Sequence, residues 1–282
     1  MGAVLMLCWL IQHGLTTISC KCGDRSLEPL SFILLVMLSS DMKSNQQTVR
    51  VISVGQFRPE KDHELQLAAF AKFVHDYLPS LDADLRLRLV LVGGIRNDAD
   101  WQRVQQLRRY AAELDIAQLV EWKINAPFDD LQQQLSETLI NLHTMWNEHF
   151  GIAVVEAMAA GNIVIAHDSG GPQLDIVGPI DEQQANSKTT TPKDSSEVEE
   201  LAVSANSESC DFKRGCVGFL ASTAKDYAAA MLAILRMTPS EREEMRRAAK
   251  DKIDQFSEDY FEEGFLNVID LMLNQFLGVK EF

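Results

Sequence analysis

The sequence predicts an α/β fold, a doubly wound parallel sheet followed by carboxyl-terminal helices, and three observations predict it. From Val49 onward, strand-sized apolar runs alternate with helical periods, the order expected of repeated βα units. Glycines punctuate the alternation: Gly93-Gly94 closes one apolar run, and Gly161 stands where a left-handed residue ends a helix. The composition, 46% hydrophobic and 24% charged over 282 residues, is that of an ordinary globular chain and excludes a disulfide miniprotein or a wholly disordered one.

Taken in order, Val49 to Val54 is the first strand, answered by a helix over Glu64 to Tyr77. Leu87 to Val92 is the next, with a helix over Asp100 to Leu114. Leu119 to Trp122 pairs with Pro127 to Leu135, and Thr138 to Leu142 with Gly151 to Ala160; Asn162 to Ala166 is the strand after these. Gly178 to Asp211 then breaks the rhythm with Ser, Thr, Asn, Lys and Glu. That composition buries too little apolar surface to fold, so it reads as an acidic disordered insertion. A short strand at Cys216 to Leu220 resumes the pattern, and helices follow over Thr223 to Leu235, Ser240 to Phe256 and Glu258 to Leu277.

Residues 1–48 are different, with apolar runs at Ala3 to Ile11 and Phe32 to Leu38. Neither approaches the roughly 20 apolar residues that span a bilayer. The first has the length of a signal-peptide core but lacks a basic n-region and an Ala-x-Ala site, so a buried strand, an interfacial segment or a disordered leader fits better. The expected organisation is an atypical leader at 1–48, a core at 49–177, the insertion at 178–211, and the last strand and helices of the same domain at 212–282.

Basic residues number 26 and acidic ones 41, giving a net charge of −15. Such a surface repels polyanions within the Debye length, which argues against general nucleic-acid binding and requires any anionic ligand to be held by a local site. Cys8, Cys20, Cys22, Cys210 and Cys216 are odd in number and mostly outside the periodic segments, unlike a disulfide framework or a zinc site, and read as reduced thiols. No Gly-x-x-x-x-Gly-Lys-Ser/Thr, Gly-x-Ser-x-Gly or His-Glu-x-x-His occurs, which removes the commonest NTPase, hydrolase and zinc-protease readings.

The stretch from Asn147 to Gly161 carries the most chemistry. Glu156 lies in a helix otherwise made of Ile, Ala, Val, Met and Gly, so its carboxylate is flanked by apolar surface, and burying it without a partner is costly. A pair of ligand hydroxyls satisfies it as well as an Arg does, and so does a bond to a neighbouring strand. Gly151 opens the helix without a side chain, leaving backbone N–H groups able to approach an anion. Glu148 sits just before that terminus, where it faces the same cleft or serves simply as an acid at a helix start.

A second constellation runs from Ser53 to His63. A strand ends at Gly55, and Arg58 and Lys61 lie just before a helix, where an open α/β sheet receives its ligand. An Arg fork and a Lys point charge suit a diphosphate, although a solvated loop explains them too. A third, His167-Asp168-Ser169-Gly170-Gly171-Pro172, follows another strand, and its glycines admit close approach of a substrate or make a plain turn; His167 is expected to be a structural hydrogen-bonding group. His143, Trp146 and His149 precede the Glu156 helix and suit a sugar face, with core packing the expected role of Trp146.

Together these stretches resemble the carboxyl-terminal, donor-binding domain of retaining glycosyltransferases of the GT-B fold, family 4, over roughly Val49 to Phe276. The family's Glu-x7-Glu motif with Phe-Gly inside matches Glu148 to Glu156. Gly55 to His63, His143 to Ile152 and Ala166 to Val177 look most like the GDP-mannose-dependent α-1,2-mannosyltransferases that extend the dolichol-linked oligosaccharide.

The resemblance implies a Rossmann-like donor half and retaining mannose transfer. Glu148 and Lys61 would be catalytic, the first on donor mannose hydroxyls and the second on the diphosphate. Glu156 would bind the ribose hydroxyls, with Gly55, Phe150, Gly151 and Ile152 also in the donor site. Gln56 stands where many members carry an Arg, which makes Arg58 the candidate replacement.

The implied partners are GDP-mannose and a dolichol-linked acceptor, with no nucleic acid, cofactor or metal, at the cytosolic face of the endoplasmic reticulum membrane. Such enzymes also carry an amino-terminal acceptor domain. Only 48 residues precede the donor half, so the acceptor domain is expected to be missing, with membrane association through a missing or separate amino-terminal region. Two alternatives stand beside this reading: a non-catalytic nucleotide-sugar-binding module, and a family 4 transferase that uses a UDP-sugar.

Overall fold

In the computed structural model, residues 48–81, 85–178 and 213–277 are described. The leader and insertion expectations therefore lie almost wholly outside the described residues. Val, Ile and Leu run nearly uninterrupted through the strands, as a sheet covered on both faces requires. These are β1 (Thr48–Val54), β2 (Arg86–Gly93), β3 (Val120–Ile124), β4 (Ile140–His143), β5 (Ile163–His167), β6 (Lys213–Arg214) and β7 (Gly218–Ala221).

They form a 7-stranded sheet in the order β3-β2-β1-β4-β5-β7-β6. Every pairing is parallel except that of β6 with β7. The parallel doubly wound sheet is thus as the sequence predicts, with one short antiparallel edge added. The last strand begins later than Cys216 because Gly215 N–H donates to Gly218 O at 2.8 Å, closing a tight turn before β7.

The helices are α1 (His63–Asp76), α2 (Asp98–Glu113), α3 (Phe128–Ser136), α4 (Ile152–Ala159), α5 (Ala224–Arg236), α6 (Pro239–Ile253) and α7 (Glu258–Leu277). Strand side chains alternate between two apolar clusters with period two. Val51, Leu87, Leu89, Leu91 and Ile165 pack with α1, α2 and α5 on one face. Ile52, Val90, Val92, Val164 and Ala166 pack with α4 and the end of α6 on the other. Fully buried side chains such as Leu89, Leu91 and Phe70 each contribute about 1.5–3 kcal/mol by leaving water.

Two predicted strand starts turn out to be polar clasps. Thr138 Oγ1 donates to Gln134 O at 2.7 Å, and Asn162 Nδ2 donates to Leu135 O and Thr138 O at 2.8 and 2.9 Å, so these side chains satisfy carbonyls in the last turn of α3 and just beyond it. The helix expected to run to Phe256 stops at Ile253 and passes into a short 3-10 turn. Its start is a capping box between Thr238 and Glu241.

Strand order reverses between β1 and β4. The chain leaves β1 toward β2 on one side and leaves β4 toward β5 on the other, and the loops beyond their carboxyl ends part there. Open α/β sheets bind ligands at this kind of crevice.

Candidate active site

The loop after β1 supplies Lys61. Phe57 anchors it, fully buried and stacked on His63 with ring centroids 5.0 Å apart. A single 3-10 turn, Pro59–Lys61, then delivers the chain to Asp62, which adopts φ 47 and caps α1 by accepting from Leu65 N–H at 3.2 Å. Lys61 O accepts from Thr144 Oγ1 at 2.9 Å and from Gln66 Nε2 at 3.3 Å. Thr144 directly follows β4, so one hydroxyl ties together the two loops that flank the switch point. The Lys61 stem lies over Gly55: a Cβ there would stand 3.5 Å from Lys61 Cγ and Cδ.

The loop after β4 supplies Glu148, and the turn after β5 holds that loop. Asn147, at φ 53, donates its N–H to Ser169 Oγ at 2.8 Å, and His167 Nδ1 lies 2.9 Å from the same oxygen. Gly171 N–H donates to Glu148 O at 2.7 Å. A Cβ on Gly170 would stand 2.3 Å from Glu148 O, and one on Gly171 would stand 2.5 Å from His149 O and Phe150 O. Room made by this glycine pair is therefore taken by the protein's own backbone. His167 has the structural bond expected of it, and burial lowers its pKa.

Lys61 Nζ and Glu148 Oε2 meet at 2.7 Å across the crevice, with Met145 Sδ 3.1 Å from the ammonium. His143 Nε2 stands 3.6 Å from the same carboxylate oxygen, long for a hydrogen bond. Burial alone would raise the Glu148 carboxyl, but His143 and Lys61 beside it outweigh that and hold it down at about 2.

Gly151 is the N-cap of α4 at φ 100, a conformation in which a side chain is strained, and Pro172 and Val154 leave little space for a Cβ. Phe150 is fixed edge-on against Phe256 with centroids 5.3 Å apart. Ile152 and Glu156 are four residues apart, so they share a helix face, and side chains on that face lean toward the helix amino terminus. Among the described residues the Glu156 carboxylate has no hydrogen-bond or ion-pair partner, and burial pushes it up to about 7.

The structure thus brings Lys61 and Glu148 into direct contact, with the Lys61 stem over Gly55 and with Phe150, Gly151, Ile152 and Glu156 along the adjoining helix start. Arg58 joins neither acid; it is ion-paired with Glu60 and lies 3.5 Å from Gln56. Trp146 is 71% exposed, which corrects its expected place in the core: it lies in the loop after β4 rather than in the strand itself. Sequence reasoning did not single out Thr144; it named His143 for a sugar face and Ser169 only as part of the glycine-containing turn. For His143 and Thr144 the available signal was two polar residues directly after a strand-sized apolar run.

A family described as Glycosyl transferases group 1 matches residues 39–197. A Xenopus laevis protein named GDP-Man:Man(3)GlcNAc(2)-PP-Dol alpha-1,2-mannosyltransferase is 40% identical over 92% of this chain and 46% of its own length. A human protein of the same name is 43% identical over 78% of this chain and 38% of its own length. The chain therefore spans about half the length, or less, of the curated relatives it matches. Among solved structures, a glycosyltransferase from Rickettsia africae superposes with a TM-score of 0.57 at 15% identity, over 88% of this chain and 53% of that one, a likeness of fold.

Proposed function

Given that the chain belongs to the glycosyl transferases group 1 family, we propose that it is the donor-binding half of a mannosyltransferase that moves mannose from GDP-mannose to a dolichol-linked oligosaccharide. The observation that carries the reading is the pairing of unlike carboxylates at the switch point. Glu148 is held ionised against Lys61, while Glu156, eight residues on, is half-buried with no partner among the described residues. Two ribose hydroxyls are neutral donors of the right number to satisfy Glu156. A diphosphate needs a local cation, which an acidic chain of net charge −15 offers here as Lys61.

In this reading Lys61 meets the diphosphate and stabilises the charge that develops on the leaving GDP. Glu148 accepts hydroxyls of the donor mannose, and the N–H groups around Phe150, Gly151 and Ile152 face sugar and phosphate at a helix start. Arg58 reaches the diphosphate only by leaving Glu60. An acceptor hydroxyl forms its bond to the anomeric carbon on the face from which the phosphate oxygen departs. Its proton passes to a donor phosphate oxygen, so configuration is retained and GDP leaves. The names of the Xenopus and human relatives support GDP-mannose as donor and a dolichol-linked acceptor. A place at the cytosolic face of the endoplasmic reticulum membrane is part of the same proposal.

Titration calorimetry of the chain with GDP-mannose and with UDP-glucose tests the reading. GDP-mannose is expected to bind at least about tenfold more tightly, a difference of about 1.4 kcal/mol. Equal affinities, or binding of UDP-glucose alone, would overturn the donor assignment.

A further inference from the structure

We infer that His143 is a positioning residue that takes hold of Glu148 when Lys61 turns from that carboxylate to the donor. The inference rests on the donor-site reading above and adds to it a residue that the reading leaves idle.

One oxygen, Glu148 Oε2, is approached from two sides, by Lys61 Nζ at 2.7 Å and by His143 Nε2 at 3.6 Å. His143 is 5% exposed, and among the described residues its Nε2 has no hydrogen-bond partner. A buried ring nitrogen left in this condition is destabilising. Glu148 is the acceptor beside it, and in the resting arrangement Lys61 holds that acceptor just out of reach.

The imidazole is fixed in place. His143 is the last residue of β4, in register with Ala166 of β5, and its carbonyl accepts from Tyr227 Oη at 2.9 Å with Tyr227 fully buried. Lys61, by contrast, is a flexible stem whose ammonium touches only Glu148 and Met145 Sδ among its described hydrogen-bond partners. A diphosphate carries more negative charge than one carboxylate and would draw that ammonium away.

Glu148 would then be a half-buried anion without a cation, which is expensive. Closing the gap to His143 to a hydrogen bond of about 2.8 Å takes a shift of under about 1 Å. The Nε2–H then donates to Oε2, the orphaned nitrogen is satisfied, and the other carboxylate oxygen stays available to a sugar hydroxyl. Neither step changes the proton count: all that is required is a hydrogen on Nε2.

Two arms test this. In a crystal structure of Lys61→Met without ligand, the His143 Nε2 to Glu148 Oε2 distance is expected to fall from 3.6 Å to about 2.8 Å. If it stays long, or if Glu148 swings into solvent, the hand-over is wrong whatever the ligand does.

In calorimetry with GDP-mannose and guanosine, which has no diphosphate to draw Lys61 away, His143→Phe is expected to bind guanosine like the parent. The advantage of GDP-mannose over guanosine should fall about tenfold, the scale of one hydrogen bond to a charged group. His143→Gln, which keeps an N–H donor near the same place, should restore that advantage. An unaltered advantage in His143→Phe would overturn the inference. Failure of the parent to bind GDP-mannose, with His143 closing on Glu148 in Lys61→Met, would instead overturn the donor-site reading on which the inference stands.

Discussion

Burial lifts the Glu156 carboxyl to about 7, above its ordinary 4.5. A raised acid is more comfortable protonated in the folded state, so the stability it permits is complete below 4.5 and is lost as pH rises through about 7. Glu156→Gln is therefore expected to stabilise the ligand-free chain at pH 8 by about 1–3 kcal/mol and to leave it unchanged near pH 4, as urea melts at the two pH values would read. Glu148 has the opposite sign. Its carboxyl is held at about 2, so its contribution is present above 4.5 and is lost as pH falls toward 2. Glu148→Gln should destabilise the neutral chain by about 1–2 kcal/mol and have no effect near pH 2. A gain of stability on losing Glu156, beside a loss on losing Glu148, is the behaviour of a group kept for a ligand rather than for the fold.

At the scale of elements, the turn after β5 is what keeps the Glu148 loop in place, and two glycines separate space from conformation. Gly170 has φ 59 and no room for a Cβ beside Glu148 O, whereas Gly161 has φ 82 and nothing within 4 Å. Gly161→Ala should cost only the left-handed backbone, about 1 kcal/mol, and spare donor binding. Gly170→Ala should cost about 2–3 kcal/mol in denaturant melts and weaken donor binding as well, because Glu148 must move. The strands were legible because a parallel sheet buried on both faces needs runs of Val, Ile and Leu, and those runs stand out at β1, β2 and β5. Thr138 and Asn162 were misread as strand starts because hydrogen bonding to α3 carbonyls leaves no trace in hydropathy. The two-residue β6 and the π-helical turn Pro172–Ile176 are too short to show a period. Lys61 and Glu148 could each be picked out, but their contact joins positions 87 residues apart and is a product of strand order, which local patterns do not carry.

For the whole molecule, a doubly wound sheet with an apolar cluster on each face carries the parted loops at its switch point. None of the described helices is long and apolar enough to cross a membrane. A site assembled from the ends of β1, β4 and β5 should couple to global unfolding. GDP-mannose at 100 times its dissociation constant should accordingly raise stability by about 2.7 kcal/mol, seen as a higher melting temperature. The pH dependence of GDP-mannose affinity in the parent and in Glu156→Gln, by calorimetry between pH 8 and pH 6, tests the central claim most directly. In the proposed donor site ribose hydroxyls would bind the ionised carboxylate, and the diphosphate diester of a nucleotide sugar does not itself ionise in this range. The parent's affinity should fall as pH drops below about 7, approaching tenfold per unit. Glu156→Gln should bind weakly with no such dependence. Parent binding that ignores pH, with Glu156→Gln binding equally tightly, would contradict the placement of the donor on this helix.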